Sequence, residues 1–232
     1  YVMGAEAAKL AIEDAGLTPM DIDLIIVTTE APDYLSPSMA CLIQKEIKAE
    51  NAAAFDVNAA CTGFVYAVTI AQQFIQTGYY KHVLIVSNEG LSRIVDWKDR
   101  STCVLFGDAA GAVVLGRVDK EYGLKESYLA SFGNLGHNLT IPCCYISEED
   151  RQKRSEGKER VVWQDGSEVF TFAVRAMADS IRTVIEKANI SMEDVDLIIP
   201  HQANLRIING AAKRLDVGED KISVILHETG NI

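Results

Sequence analysis

The chain has 232 residues, of which 48% are hydrophobic and 24% are charged, and its 22 basic and 33 acidic side chains give a net charge of −11. These proportions are typical of a globular protein and exclude a disordered chain. The acidic balance argues against a general nucleic-acid binder, and the lack of a run of roughly 18 apolar residues argues against a membrane-spanning helix.

Hydrophobic periodicity predicts alternating helices and strands along the chain. Continuous apolar runs at 83–86 and 112–115 indicate strands buried on both faces, as in a layered α/β protein. The predicted elements, in chain order, are helix 3–15, strand 24–28, helix 37–49, strand 53–57, helix 61–77, strands 82–87 and 111–116, a further strand within 124–132, an exposed charged loop at 147–160, helix 169–188, strand 196–200, helix 203–215 and strand 222–226.

An internal repeat indicates that the chain is a duplicated α/β unit. Residues 12–26 (IEDAGLTPMDIDLII) and 185–199 (IEKANISMEDVDLII) share eight identical positions at a constant offset of 173 residues. We therefore expect two pseudo-symmetric halves, at 1–120 and 121–232. The second copy stops where the first copy begins its helix 61–77, and the first residue is not Met, so we expect the native chain to extend beyond both ends.

The repeat also relates three polar residues that are distant in sequence. Cys61 and Asn231 occupy equivalent places after matching strands, and His201 is the counterpart of Thr28. If the halves pack about a pseudo-twofold axis, all three approach that axis. The alignment therefore nominates Cys61, His201 and Asn231 as one group.

Cys61 is the candidate nucleophile of this group. It follows a strand, opens a long helix and has small neighbours, and the partial positive charge at a helix N-terminus predicts a lowered thiol pKa. The alternative is a cysteine that serves only as a small hydrophobic residue. We adopt that interpretation for the other four cysteines, which are Cys41, Cys103, Cys143 and Cys144.

His201 and Asn231 are weaker signals when each is considered alone. His201 ends an apolar strand, and open α/β folds place ligands at the carboxyl ends of strands. Its alternative role is to cap the helix that follows. Asn231 follows Gly230, and this pair is equally typical of a turn. The four histidines and five cysteines show no zinc-ligand spacing or disulfide framework, so we expect no metal and a reducing, cytoplasmic location.

Four motifs resemble those of the β-ketoacyl-[acyl-carrier-protein] synthase III family. They are DVNAACTGFVY at 56–66, FGDAAGA at 106–112, PHQANLR at 200–206 and the Gly230-Asn231 pair. The resemblance implies an α/β, thiolase-like five-layer αβαβα sandwich built from two pseudo-symmetric halves, usually as a homodimer. It also implies an acyltransferase that condenses an acyl-CoA primer with malonyl-acyl-carrier-protein to begin type II fatty acid synthesis.

The resemblance further implies a role for individual residues. Cys61 would accept the acyl group, and His201 and Asn231 would hydrogen-bond the malonyl thioester carbonyl. Arg206 would dock the carrier protein and Phe170 would line the acyl tunnel. The implied chemistry requires no metal and no redox cofactor, and CoA enters as part of a thioester substrate. We expect neither a membrane nor a nucleic acid as a partner.

Three further residues affect partner and substrate choice. Lys213 and Arg214 extend a basic face from Arg206 that suits an acidic carrier, although an ordinary solvated face is the alternative. Ser36 stands where well-known family members carry a bulky residue near the partner's acyl pocket. A small residue there predicts tolerance of acyl groups beyond acetyl, unless Leu35 fills the space.

Two other functions remain open at this point. A related condensing enzyme of secondary metabolism would share the triad and the fold, and its products would distinguish it. A non-catalytic acyl-CoA or carrier-binding relative is the alternative from a different class. The presence of all three triad residues argues against the second. A thiolase is disfavoured because it needs a second cysteine late in the chain.

Overall fold

A computed structural model describes residues 1–231 of the chain. Two compact units are present, one formed by Tyr1–Gly90 with Asp108–Leu129 and the other by Leu91–Gly107 with Ala130–Ile232. These units group residues by spatial contact, whereas the halves 1–120 and 121–232 follow from the sequence repeat. The duplication itself stays a prediction.

The first unit is built on a four-stranded sheet. Its strands are β1 (Leu24–Thr28), β2 (Ala53–Val57), β3 (Val83–Gly90) and β4 (Asp108–Leu115), in the order β2-β1-β3-β4. Strand β1 is parallel to both β2 and β3, and β4 is antiparallel to β3. Thr28 lies opposite both Val57 and Ser87. The carboxyl ends of β1, β2 and β3 therefore meet at one edge of the sheet.

Helices cover both faces of this sheet. They are α1 (Val2–Asp14), α2 (Met39–Ile47) and α3 (Gly63–Gln76). Alternate β1 residues face opposite cores, with Ile25 in the cluster that includes α1 and α2 and Ile26 in the cluster that includes α3. Burial on both faces explains why β1 and β3 contain continuous apolar runs, whereas the prediction of such burial for 112–115 is wrong, because β4 is partly exposed. The helices and strands predicted up to residue 116 are confirmed, with boundary shifts of at most three residues.

The second unit is mainly helical. Its elements are β5 (Leu139–Thr140), α4 (Glu148–Gln152), β6 (Trp163–Gln164), α5 (Gly166–Ala188), α6 (Leu205–Leu215) and α7 (Leu226–Thr229). Strands β5 and β6 form an antiparallel pair. Helix α6 packs against α5, where a Cβ on Gly210 would lie 3.0 Å from Val174. Gly210 thus permits the two helices to approach closely.

The strands predicted at 196–200 and 222–226 are wrong as continuous elements. They meet in a single parallel bridge between Ile198 and Ile222, and the second segment continues into α7. Leu197 is 51% exposed and Ile199 is 76% exposed, so neighbouring strands do not bury this apolar run. The region 124–132 also contains no strand within the described residues.

The charged segment 147–160 is more ordered than the predicted exposed loop. Ser147 caps α4 by accepting a hydrogen bond from the Asp150 amide at 3.0 Å. The Arg154 side chain is only 1% exposed and donates to the carbonyl oxygens of Thr140, Asp150 and Val161. A buried guanidinium that satisfies three carbonyls therefore organises a segment whose composition suggests only solvation.

Candidate active site

Cys61 lies on a tight turn between β2 and α3. The preceding residue, Ala60, has a φ of 48°, in the left-handed region that disfavours residues with a Cβ. The Ala60 amide donates to Asn58 Oδ1 at 3.3 Å, and Thr62 Oγ1 donates to the Ala59 carbonyl at 2.7 Å. Backbone strain of this kind is concentrated at functional sites. The turn places Cys61 at the carboxyl edge of the sheet, on exposed surface.

Close packing fixes the start of α3 against the sheet beneath the cysteine. A Cβ on Gly63 would lie 3.0 Å from the Thr28 Cβ, so only glycine permits this approach without displacement. Thr28 in turn donates a hydrogen bond from its hydroxyl to the Ser87 hydroxyl at 2.9 Å. The ends of β1 and β3 therefore support the turn that carries the thiol.

The predicted lowering of the Cys61 pKa is wrong. Desolvation, followed by the negative charge of Glu30, raises the pKa of the Cys61 thiol to about 12, and Glu89 adds to the increase. The residue has accessible surface, yet enough protein surrounds its sulfur to weaken hydration of a thiolate. These two properties are compatible for a thiol in a recess. The start of α3 does not outweigh them, so Cys61 is a neutral thiol at neutral pH.

Glu30 and Glu89 were not anticipated as site residues. Glu89 accepts hydrogen bonds from the Glu30 amide at 2.7 Å and from the Thr29 hydroxyl at 3.3 Å. Burial raises the pKa of Glu30, and it also raises the pKa of Glu89 to about 7. Both follow or end strands whose carboxyl ends converge, which is the signal that identifies them in retrospect.

Removal of the Glu30 charge is expected to make Cys61 more acidic. In Glu30→Gln the thiolate loses a neighbouring negative charge, so the Cys61 pKa falls and alkylation at a fixed, mildly alkaline pH accelerates severalfold. The measurement is the pH dependence of iodoacetamide labelling of the Cys61 peptide. Glu13→Gln, an exposed change on α1, is the matched control. An unchanged midpoint in Glu30→Gln would contradict the electrostatic assignment.

His201 lies in the second unit, partly exposed, just after the Ile198 bridge. Its Nε2 atom is buried and has no hydrogen-bond partner within residues 1–231. Burial lowers the pKa of the His201 side chain, so the imidazole is neutral at neutral pH. A neutral imidazole with an unsatisfied ring nitrogen has the capacity to donate to a substrate oxygen or to accept from a substrate donor, depending on its tautomer.

The neighbours of His201 hold its backbone in place. Gln202 donates to the carbonyls of Pro200 at 3.0 Å and Ser223 at 3.2 Å, and its Oε1 accepts from the Ile225 amide at 2.9 Å. Asn204 caps α6, since its side chain accepts from the Arg206 amide at 2.8 Å. Capping is therefore a role of Asn204, and Gln202 is a positioning residue that the sequence interpretation missed.

Asn231 also lies in the second unit, and its backbone is held by the start of the FGDAAGA motif at 106–112. Phe106 and Asn231 form a parallel bridge, in which the Asn231 amide donates to Leu105 at 3.3 Å and its carbonyl accepts from Gly107 at 2.8 Å. Gly230 has a φ of 73°, which explains the glycine before Asn231. The motif at 106–112 therefore positions Asn231 through main-chain contacts.

Two of the residues assigned to carrier and acyl binding touch each other. The Arg206 guanidinium lies 5.7 Å from the centre of the Phe170 ring, within cation–π range. Lys213 and Arg214 are exposed in the last turn of the same helix, α6, whose apolar face is buried. Lys213 lies about two turns from Arg206 and on the same side, so α6 presents a basic face to solvent.

The remaining predicted residues lie on exposed surface. Ser36 is exposed, as is Leu35, so Leu35 does not fill a pocket within this chain. The prediction that the other cysteines are buried hydrophobic residues is wrong for Cys41, Cys143 and Cys144, which are exposed.

Within residues 1–231, no three His, Cys, Asp or Glu side chains converge as a metal ion would require. Every helix in that range is too short or too polar to cross a bilayer.

Sequence and structure comparisons agree on the relatives of this chain. The family described as 3-Oxoacyl-[acyl-carrier-protein (ACP)] synthase III matches residues 55–133, and its C-terminal domain matches residues 185–232. The β-ketoacyl-[acyl-carrier-protein] synthase III of Caldanaerobacter subterraneus is 46% identical over 99% of this chain and 69% of its own. This chain belongs to the β-ketoacyl-[acyl-carrier-protein] synthase III family. It is therefore a condensing acyltransferase of fatty acid synthesis, as its motifs predicted.

Solved structures of synthase III enzymes confirm the fold class. The enzyme from Aquifex aeolicus superposes with a TM-score of 0.89 at 42% identity, covering 98% of this chain and 69% of that one. The priming β-ketosynthase of the R1128 polyketide pathway gives 0.87 at 36% identity, covering 99% and 68%. The α/β architecture is thus that of the thiolase fold, to which synthase III enzymes belong.

Proposed function

We propose that this synthase III transfers an acyl group from acyl-CoA to Cys61 and condenses it with malonyl-acyl-carrier-protein. The position of Cys61 supports this proposal above all, because a strained turn presents an exposed thiol at the carboxyl edge of the sheet. In the first stage the Cys61 sulfur attacks the thioester carbonyl. The C–S bond to CoA breaks, and the departing CoA thiolate takes up a proton equivalent to that lost by Cys61.

The second stage forms the new carbon–carbon bond. The malonyl group loses its carboxylate as carbon dioxide, and the electron pair of the broken bond enters an enolate at the thioester carbonyl. His201 and Asn231 are proposed to donate hydrogen bonds to that oxygen, where negative charge develops. The enolate carbon then attacks the acyl-Cys61 carbonyl, and Cys61 leaves as the β-ketoacyl-carrier-protein forms.

The neutral state of His201 suits this role. An imidazole whose pKa is lowered by burial remains uncharged near neutral pH and can donate one N–H without adding a full positive charge. Its unsatisfied Nε2 offers that donor or acceptor directly. Gln202 and the Phe106 bridge would act as positioning contacts that hold His201 and Asn231.

The overall reaction is tested by supplying both substrates together. Incubation with acyl-CoA and malonyl-acyl-carrier-protein should release free CoA and carbon dioxide in equal amounts and yield β-ketoacyl-carrier-protein. Acylation without any condensed product would instead identify a non-catalytic acyl-binding relative. Similarity to the R1128 priming enzyme keeps secondary metabolism as a second candidate. Condensation that proceeds only with another acceptor would favour that candidate.

Reversal of charge on α6 is expected to weaken use of the carrier protein. Lys213→Glu places a negative charge on the basic face that we propose meets an acidic carrier, so KM for malonyl-carrier-protein rises about tenfold at low salt while kcat changes little. The measurement is steady-state kinetics at two ionic strengths. Lys45→Glu, at an exposed position of α2, is the matched control. Equal KM values for the two variants would contradict carrier docking at α6.

The small residue at position 36 is expected to widen substrate choice. Acetyl-CoA, isobutyryl-CoA and octanoyl-CoA, when made to compete for Cys61, should give acyl adducts of the branched or longer chains as well as acetyl. Ser36→Phe should shift the products toward acetyl, because a bulky side chain would occupy the proposed acyl pocket of a partner subunit. Strict acetyl preference in the unmodified enzyme would refute this interpretation.

The proposal also includes the setting in which the enzyme acts. We propose a cytoplasmic homodimer that requires no metal or redox cofactor and associates with neither nucleic acid nor membranes. The family and the net charge of −11 support this setting. Sedimentation analysis tests the dimer, and unchanged activity after exhaustive chelation tests the independence from metals.

A further inference from the structure

Two adjacent cysteines lie in the second unit, apart from the residues assigned to the candidate active site. Cys143 and Cys144 lie between β5 and α4, and both are exposed. Their Sγ atoms are 3.8 Å apart and share a hydrogen bond, so the two side chains point the same way. The simpler interpretation is that the two cysteines are unrelated surface residues. The contact between their Sγ atoms argues against it.

A basic cavity surrounds this pair. It has a volume of about 780 Å³ and is lined by both cysteines together with charged side chains from two neighbouring segments. The charged lining residues are Arg93, Arg151, Lys158, Arg160 and Glu159. Arg151 is paired with Glu148 at 3.8 Å and with Glu159 at 4.0 Å. Lys158 and Arg160 form no ion pair within residues 1–231, so their charges remain available to a bound anion.

One of these cations also acts on Cys144. The pKa of the Cys144 thiol is raised, first by its hydrogen bond with Cys143, and the positive charge of Arg160 opposes this increase. A negatively charged reagent would be drawn to the cations that line the cavity and would arrive next to the two cysteines.

We propose that Cys143 and Cys144 form a redox-active vicinal dithiol that exchanges with anionic low-molecular-weight disulfides held in the basic cavity. One cysteine thiolate attacks a sulfur of the reagent, forming a mixed disulfide and releasing one thiolate. The second cysteine, as its thiolate, then attacks the protein sulfur and expels the other half of the reagent. The two cysteines are oxidised, the reagent is reduced to two thiols, and the two protons lost by the cysteines are taken up by the released thiolates.

Geometry predicts that the product is easily reversed. The sulfurs must approach from 3.8 Å to about 2 Å, which a side-chain rotation can supply. Adjacent Cα atoms, however, are about 3.8 Å apart, below the usual separation across a disulfide. The ring is therefore strained, and strained, exposed disulfides are the ones that reducing thiols reopen. The site is independent of the acyl transfer proposed above.

Mass spectrometry of the 143–144 peptide tests this proposal. The reduced protein is treated with glutathione disulfide, quenched with N-ethylmaleimide and digested without reductant. The peptide should lose two hydrogen atoms and take up no maleimide, and dithiothreitol should restore double labelling. Cys144→Ser should stop at a glutathione adduct on Cys143. Persistent double labelling, or a stable glutathione adduct in the unmodified protein, would overturn the dithiol assignment.

The role of the cavity requires a second comparison. Lys158→Gln with Arg160→Gln should slow the reaction with glutathione disulfide about tenfold, because the anionic reagent loses its attraction. The reaction with uncharged 2-hydroxyethyl disulfide should keep its rate in the same variant, which also shows that the loop remains folded. Cys41, a lone exposed thiol, provides the internal reference rate. An equal decrease with both reagents, or no decrease with either, would overturn recognition by the cavity.

Discussion

Cys61→Ala is expected to abolish acyl transfer and condensation. The alanine removes the sulfur that we propose bonds to the acyl carbon, and no other group in the mechanism replaces it. Activity should fall by about a thousandfold or more, since loss of a covalent nucleophile removes the entire two-step route. The measurement is release of CoA from acyl-CoA, followed with a thiol reagent under single-turnover conditions.

The fold of that variant should be preserved. Cys61 has exposed surface, so a smaller side chain leaves no large buried cavity. Cys41→Ala, which changes an exposed cysteine on α2, is the matched control and should retain full activity. Comparable CoA release by Cys61→Ala and the unmodified enzyme would exclude Cys61 as the acyl acceptor.

His201→Ala is expected to separate the two stages of the reaction. Removal of a hydrogen-bond donor at the developing enolate should slow malonyl decarboxylation by about a hundredfold to a thousandfold. Acylation of Cys61 should change much less, because the enolate forms only in the second stage. Asn231→Ala should show the same pattern. The two rates are measured separately, as carbon dioxide release from labelled malonyl-carrier-protein and as CoA release from acyl-CoA.

A control histidine makes this comparison specific. His227 has an exposed side chain on α7, close in sequence to Asn231, and His227→Ala should leave both rates unchanged. Equal losses of acylation and decarboxylation in His201→Ala would contradict the proposed division of roles. Normal decarboxylation in both His201→Ala and Asn231→Ala would remove these residues from the mechanism.

The centre of the sheet in the first unit was predictable because β1 and β3 are buried on both faces. Continuous apolar runs marked β1 and β3, and the boundaries of β1 and β2 matched the prediction. The runs at 196–200 and 222–226 carried a similar pattern but formed one bridge, since strand formation also depends on neighbours that cover both faces. Arg154 shows the opposite case, in which a charged residue of a polar segment lies buried among carbonyl oxygens.

The candidate site was predictable in identity more than in electrostatics. Motif spacing nominated Cys61, His201 and Asn231, and their proposed roles stay predictions. The acidity of Cys61 was predicted with the wrong sign, because the helix start was visible in the sequence while Glu30 and Glu89 were not recognisably its neighbours. The parallel register of β1 and β3 brings those carboxyl groups to the same edge. Contacts between distant segments, such as Gln202 with Ser223, likewise require the fold.

The neutral resting state of Cys61 limits how the first stage can occur. A thiol with a pKa of about 12 carries little thiolate at neutral pH. In the proposed first stage, Cys61 must therefore lose its proton in the complex with acyl-CoA. Glu89, whose pKa is about 7, exchanges its proton in the range where the enzyme would act. Because the charge that Glu89 gains raises the Cys61 pKa, ionisation of Glu89 opposes formation of the Cys61 thiolate over this range.

Mass spectrometry of the enzyme after brief exposure to acyl-CoA shows whether Cys61 is the acyl acceptor. We expect one acyl group per chain, located on the Cys61 peptide, absent from Cys61→Ala and discharged when malonyl-acyl-carrier-protein is added. An unmodified Cys61 peptide, or an acyl adduct that persists in Cys61→Ala, would contradict it.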